Sequence, residues 1–148
     1  MDELSRPPTI LMADDDTEDC LLVRDALVLA AAPHDLRTVS DGVELLDYLN
    51  RRGKYDDRRR SPCPDLILLD LNMPRKDGRE SLAELKADRR WRQIPVVVLT
   101  TSTSDDDISF CYRSGASSYI AKPSTYQAWT ELVHTLNKYW FELARLPR

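Results

Sequence analysis

The stretch "LILLDLNMPRKDG", residues 66–78, opens with four aliphatic side chains and then places a carboxylate, Asp70, directly behind them. A run that apolar reads as a strand covered on both faces, the pattern of a central strand in a parallel sheet. The interior of a sheet is a costly place for a lone charge, so Asp70 belongs at the tip of the strand, where the chain leaves the core. Met73-Pro74 and Asp77-Gly78 then turn the chain away.

Working outward from this strand, short aliphatic runs alternate with helix-length amphipathic segments. Strands are expected at 10–13, 36–39, 66–69, 96–99 and 118–121. Asp16 or Thr17 can cap a first helix, with Leu21, Leu22, Leu27 and Leu29 as its apolar positions and Pro33 as its breaker. Ser40 or Asp41 can open a second, in which Val43, Leu46 and Leu49 recur at helical spacing and Gly53 offers a stop. A third, over 79–91, carries Leu82 and Leu85 on one face. A fourth follows "TSTSDDD" and ends near Gly115. The last, from about Ser124, sets Trp129, Leu132, Val133, Leu136, Trp140 and Leu143 on one stripe. Five strand-then-helix units imply an α/β fold, a five-stranded parallel sheet with helices on both faces and right-handed crossovers. The two wholly aliphatic strands, 66–69 and 96–99, are expected near its centre. The polar start Ser117-Ser118 marks the fifth strand as an edge.

In open parallel sheets, ligands bind beyond the carboxyl ends of the strands, where strand order reverses. Asp14 and Asp15 end the first strand, Asp70 the third, Thr100 and Ser102 follow the fourth, and Lys122 ends the fifth. Each has an ordinary reading alone: an Asp after a strand commonly caps a turn, Thr100 suits a strand, and Lys122 can be a solvated end. Four strands ending in complementary chemistry are harder to dismiss. Crowded carboxylates raise one another's pKa unless a cation sits among them. Mg²⁺ suits such a site, because it takes oxygen ligands from one or two carboxylates and a phosphate. A metal-bound carboxylate beside a hydroxyl and an ammonium is a seat for a phosphoryl group, whose transfer depends mainly on positioning and charge neutralisation. A carboxylate can itself accept phosphate as an acyl phosphate, and Asp70 is the natural acceptor.

Composition bounds the alternatives. The chain has 148 residues, 42% hydrophobic and 31% charged, with a net charge of -4. Those values fit one soluble globular domain and argue against nucleic acid or membrane as the main partner. No apolar stretch reaches membrane-spanning length and "MDELSRPPT" lacks the features of a signal peptide, so a cytoplasmic location is expected. Cys20, Cys63 and Cys111 show no metal-type pairing and read as reduced thiols. His34 and His134 offer no zinc site. The charged segment 51–64 is expected to be an exposed loop, its arginines a solvated surface or a docking patch.

With these residues in hand, the chain from Ile10 to about Leu143 resembles the receiver domain of two-component response regulators. The matching motifs are "DD" at 14–15, "DLNMPRKDG" from 70, "LTTS" from 99 and "GASSYIAKP" from 115. The resemblance implies a flavodoxin-like doubly wound (βα)5 domain spanning 9–148, including an extended C-terminal helix and tail, behind a flexible segment 1–8. It implies that Asp70 receives phosphate from the phosphohistidine of a sensor histidine kinase. Asp15, Asp14 through water, Asp70 and the Asn72 carbonyl would then hold Mg²⁺. Thr100 would be the switch hydroxyl, Lys122 the ion-pair partner of acid and phosphate, and Tyr119 the aromatic that reports the active state. Thr100, Thr101 and Lys122 would hold the phosphoryl group. A cis Lys122–Pro123 bond is implied as well. The "KDGRE" turn, the insert before the third strand and the tail "LNKYWFELARLP" are similar to single-domain regulators partnered with bacterial phytochromes.

Phosphorylation would add roughly one to two negative charges at Asp70. Thr100 is then expected to move inward, Tyr119 to follow, and the face of the fourth helix, fifth strand and fifth helix to change shape. Output is expected through protein contact, with a homodimer formed by that face or by the C-terminal tail, where Tyr139 and Phe141 flank the core stripe. An aspartate-nucleophile phosphatase is a rival, but it wants a second acid where Asn72 stands, so only slow self-dephosphorylation is expected. Two further rivals are a receiver that binds its partner constitutively and a nucleic-acid binder using the arginine-rich loop.

Overall fold

A computed structural model of the chain describes residues 6–30 and 34–147. Five strands alternate with five helices: β1 (Thr9–Ala13), α1 (Thr17–Leu29), β2 (Asp35–Val39), α2 (Gly42–Asn50), β3 (Leu66–Leu69), α3 (Gly78–Ala87), β4 (Val96–Thr100), α4 (Asp105–Arg113), β5 (Ser118–Ala121) and α5 (Tyr126–Asn137). Each expected strand is present within a residue or two of its expected limits. All pairings are parallel and the strand order is β2-β1-β3-β4-β5. The aliphatic strands β1, β3 and β4 occupy the middle and are buried throughout, while β2 and β5 form the edges.

Side chains alternate across the sheet, as a period of two requires. Leu11, Ile67, Leu69, Val96 and Val98 face Leu45, Tyr48, Leu82, Leu85 and Cys111 from α2, α3 and α4. Ile10, Met12, Leu66, Leu68, Val97 and Leu99 face Val23, Ala26, Leu27, Trp129 and Val133 from α1 and α5. Strand order reverses between β1 and β3, and the register sets Ala13 level with Leu69. The residues that follow them, Asp14 and Asp70, therefore emerge side by side at the switch point.

Helix starts follow local chemistry. Asp16, Asp41, Asp77, Ser104 and Thr125 cap the five helices, each side chain accepting from amides in the first turn. Gly78 is set by close approach: a Cβ there would fall 2.1 Å from the Asp70 carbonyl oxygen. This contact docks the start of α3 against the end of β3.

Several helix faces differ from the sequence expectation. Buried α1 positions are Val23, Ala26 and Leu27, whereas Leu21, Val28 and Leu29 lie exposed. In α2 the buried side is Leu45, Tyr48 and Leu49, one position round from Val43 and Leu46. Both helices offer more apolar positions than one face can hold, so spacing alone leaves the rotation open. The third helix stops at Ala87, because Asp88 turns extended. The α5 stripe breaks after Asn137, where Lys138–Leu143 forms a π-helical turn. The wider turn rotates the following residues, leaving Leu143 66% exposed and bringing Phe141 against the α1/α5 core and the His34 ring.

The peptide bonds of the described residues are all trans, Lys122–Pro123 included, so the implied cis bond is corrected; X–Pro bonds favour trans by about 0.5–1 kcal/mol. The segment 51–64 is exposed through its charged part but tucks Ser61 and Pro64 inward, with a single 3₁₀ turn at Gly53–Tyr55. The expected Pro33 breaker and the first five residues of the expected flexible segment lie outside the described residues.

Candidate metal and anion site at the strand ends

The β1 and β3 exits bring Asp14 and Asp70 together, both buried, with Asp15 beside them at the surface. One ligand atom from each of these three carboxylates lies within 4.8 Å of the others. Asp14 Oδ1 accepts from the Asp16 amide at 2.9 Å, and the Asn72 amide points at Asp70 Oδ1 across 3.4 Å.

Lys122 reaches in from the end of β5, with 7% of its side chain exposed. Its ammonium stands 2.7 Å from Asp19, 2.9 Å from Asp14 and 3.2 Å from Asp70. Burial alone would lower its pKa, but close contacts with Asp19 and Asp14, with the charges of Asp14 and Asp70, carry it well above an ordinary lysine. Asp14 moves the other way from an ordinary carboxyl. Burial, aided by repulsion from Asp70, raises it to about 6 against the pull of Lys122 and the Asp16 amide. One ammonium thus shares several carboxylates, and negative charge remains uncompensated.

That donor set fits a hard divalent cation. It consists of oxygens alone, and Asp14 Oδ2 is buried with an off-axis ammonium neighbour but no directed hydrogen bond. Zn²⁺ would want His or Cys, and the cysteines do not serve: all three are free thiols, and burial with the charge of Asp14 pushes the Cys20 thiol up to about 11.

Of the other expected residues, Thr100 is fully buried at the end of β4, whereas Thr101 and Asn72 are exposed. The Tyr119 phenol is turned against the β4–α4 loop, donating to the Ser102 carbonyl at 2.8 Å. Two features escaped the sequence reading. Asp19, in the first turn of α1, makes the shortest contact with Lys122; the run "DDDTEDC" carries it to the same rim, a signal available in the spacing. The second is the chain Arg79–Asp107–Ser102 beneath Tyr119, which joins α3 to α4 and has no local sequence signature.

The response regulator receiver domain profile matches residues 10–134. Response regulator Rcp1 of Synechocystis sp. is 38% identical over 146 residues, covering 99% of this chain and 97% of that protein. Among solved structures, the phosphorylated cyanobacterial phytochrome response regulator RcpA superposes with a TM-score of 0.90 at 40% identity, covering 97% of this chain and 100% of that one. The Mn²⁺-bound form of Rcp1 superposes with a TM-score of 0.88 at 38% identity, covering 96% and 100%. With five parallel strands, matching helices and acids at the switch point, the chain belongs to the response regulator receiver domain family.

Proposed function

We propose that Asp70 is a phosphoacceptor served by the phosphohistidine of a sensor histidine kinase, and that the chain works as a response regulator in phytochrome signalling. The observation that carries this reading is the convergence of Asp14, Asp15, Asp70 and Lys122 at the reversal of strand order, with Thr100 ending the neighbouring strand. Similarity to Rcp1 and RcpA supports the phytochrome link.

Receiver domains bind a divalent metal, and Mg²⁺ is our choice here. Asp14, Asp15, Asp70 and the Asn72 carbonyl would hold it, and its charge would offset that of the phosphoryl oxygens. The remaining chemistry belongs to the chain. A carboxylate oxygen of Asp70 attacks phosphorus, the O–P bond forming as the P–N bond breaks and its electron pair returns to the imidazole. Lys122 lies beside Asp70 and pairs with the incoming phosphate. Thr100 donates its hydroxyl to a phosphoryl oxygen, and the exposed Thr101 that follows it offers a second contact. Tyr119 and the face of α4, β5 and α5 transmit the change.

Receiver domains are in general phosphoacceptors rather than enzymes. Asn72 supplies no acid for rapid turnover, so we expect slow self-dephosphorylation and not phosphatase activity toward other substrates. Homodimerisation is proposed through the exposed Tyr112, Tyr126 and Tyr139. Among the described residues no helix is long and apolar enough to cross a membrane. A cytoplasmic location and a single receiver unit over 9–148 complete the proposal. Mass spectrometry after acetyl phosphate and Mg²⁺ treatment tests it. Wild type gains one phosphoryl group and Asp70→Asn gains none; a gain that survives the substitution would place the acceptor elsewhere.

A further inference from the structure

Ser102, two residues beyond Thr100, is gripped from three sides. Its hydroxyl donates to Asp107 Oδ2 at 2.6 Å, its carbonyl accepts from the Tyr119 phenol at 2.8 Å, and its amide faces Thr100 Oγ1 at 3.5 Å. Asp107, in the first turn of α4, is itself clamped by Arg79 of α3. Arg79 Nε donates to Oδ1 at 2.7 Å and Nη2 to Oδ2 at 2.8 Å, the parallel two-bond geometry in which guanidinium and carboxylate bind best. The hydrogen bonds from Arg79 and Ser102 hold the Asp107 carboxyl down at about 2, so the clamp stays charged at any physiological pH.

The clamp is not needed to start α4, because Ser104 already caps that helix and accepts from the Asp107 amide. What it does connect is α3, whose first residue Gly78 rests on the Asp70 carbonyl, with the loop that follows Thr100. Tyr119 closes the same loop from β5.

We propose that Arg79 and Asp107 are positioning residues for phosphoryl capture: by holding Ser102, they restrain the β4–α4 loop next to Thr100. This rests on the reading of Asp70 as phosphoacceptor. A loop restrained by these contacts loses less conformational freedom when the ligand arrives than a free one, so restraining it favours both affinity and rate. Neither residue touches the phosphoryl group; both act through Ser102.

The test uses the full chain in saturating Mg²⁺, with beryllofluoride as a phosphoryl analogue and calorimetry as the readout. Asp107→Asn and Arg79→Gln should each weaken beryllofluoride binding about tenfold and slow phosphorylation by acetyl phosphate to a similar degree. Arg79→Lys should recover part of the loss. Binding of Mg²⁺ alone should stay within about twofold of wild type. Ser102→Ala, which removes a single hydroxyl, should act in the same direction and carries the test if the charge variants fail to fold. Lower melting temperatures with unchanged beryllofluoride affinity, or tighter binding, would overturn the positioning role alone. Failure of wild type to bind beryllofluoride in an Asp70-dependent way would overturn the phosphoacceptor reading, and this role with it.

Discussion

Replacing Lys122 by methionine keeps much of the side chain's volume and removes its charge from the carboxylate rim. The ammonium lies 2.7–3.2 Å from Asp19, Asp14 and Asp70 and is nearly inaccessible to solvent. At about 3 Å and an effective dielectric near 20, each unit pair interacts by ~5 kcal/mol before desolvation is subtracted. Removing one partner of a buried pair costs about 3–5 kcal/mol, because the remaining charge is left uncompensated. The rim here is open at Asp15, so water can relieve part of that charge, and the lower figure applies. A loss of about 3 kcal/mol is a large share of a typical 5–15 kcal/mol stability and corresponds to roughly 6–12 °C in melting temperature. A divalent cation supplies the missing positive charge, so millimolar Mg²⁺ should return most of the lost stability and help the variant more than wild type. Urea unfolding followed by circular dichroism, with and without Mg²⁺, measures both effects. An unchanged midpoint in metal-free buffer, or a loss that Mg²⁺ does not repair, would refute the electrostatic argument.

Four further outcomes extend the account. Asp14 titrates near 6 in the folded chain against an ordinary 3.8, so the folded state binds an extra proton between those values. Stability contributed by this carboxyl therefore falls as pH rises through that window in metal-free buffer, and Mg²⁺ affinity drops about tenfold per pH unit below about pH 6; calorimetry at pH 5 and 7.5 checks this. Gly78→Ala forces a Cβ against the Asp70 carbonyl and should cost about 3 kcal/mol in urea unfolding, a loss too large for an ordinary exposed helix substitution. Phe141→Ala should destabilise the fold by about 2 kcal/mol, because the ring packs on the core. Tyr139→Ala, at a residue 53% exposed, should spare stability and weaken any dimer seen by sedimentation.

Sequence legibility followed the physics of each element. The strands were readable because β1, β3 and β4 are buried on both faces, so their aliphatic runs have no competing explanation. Helix starts were readable because Asp and Ser caps act within one turn. Helix rotation was less so: α1 and α2 carry apolar residues around more than one face, and only packing decides which are covered. The π-helical turn after Asn137 is a tertiary outcome, which reversed the expected environments of Phe141 and Leu143. At the site, Asp14, Asp15, Asp70, Thr100 and Lys122 were visible because each ends a strand. Asp19 was readable in the spacing of "DDDTEDC", whereas the Arg79–Asp107 clamp depends on how helices dock, which no single segment encodes. The contact of Tyr119 with the Ser102 carbonyl likewise depends on how β5 packs against the β4–α4 loop.

The central claim is that the rim at residue 70 captures a phosphoryl group on a metal-neutralised carboxylate. A crystal structure grown with Mg²⁺ and beryllofluoride tests it most directly. The account predicts fluoroberyllate bonded to an Asp70 carboxylate oxygen, Mg²⁺ among Asp14, Asp15 and Asp70, and both Thr100 and Lys122 in contact with fluorine. A vacant rim, or fluoroberyllate bound at any other carboxylate, would contradict it.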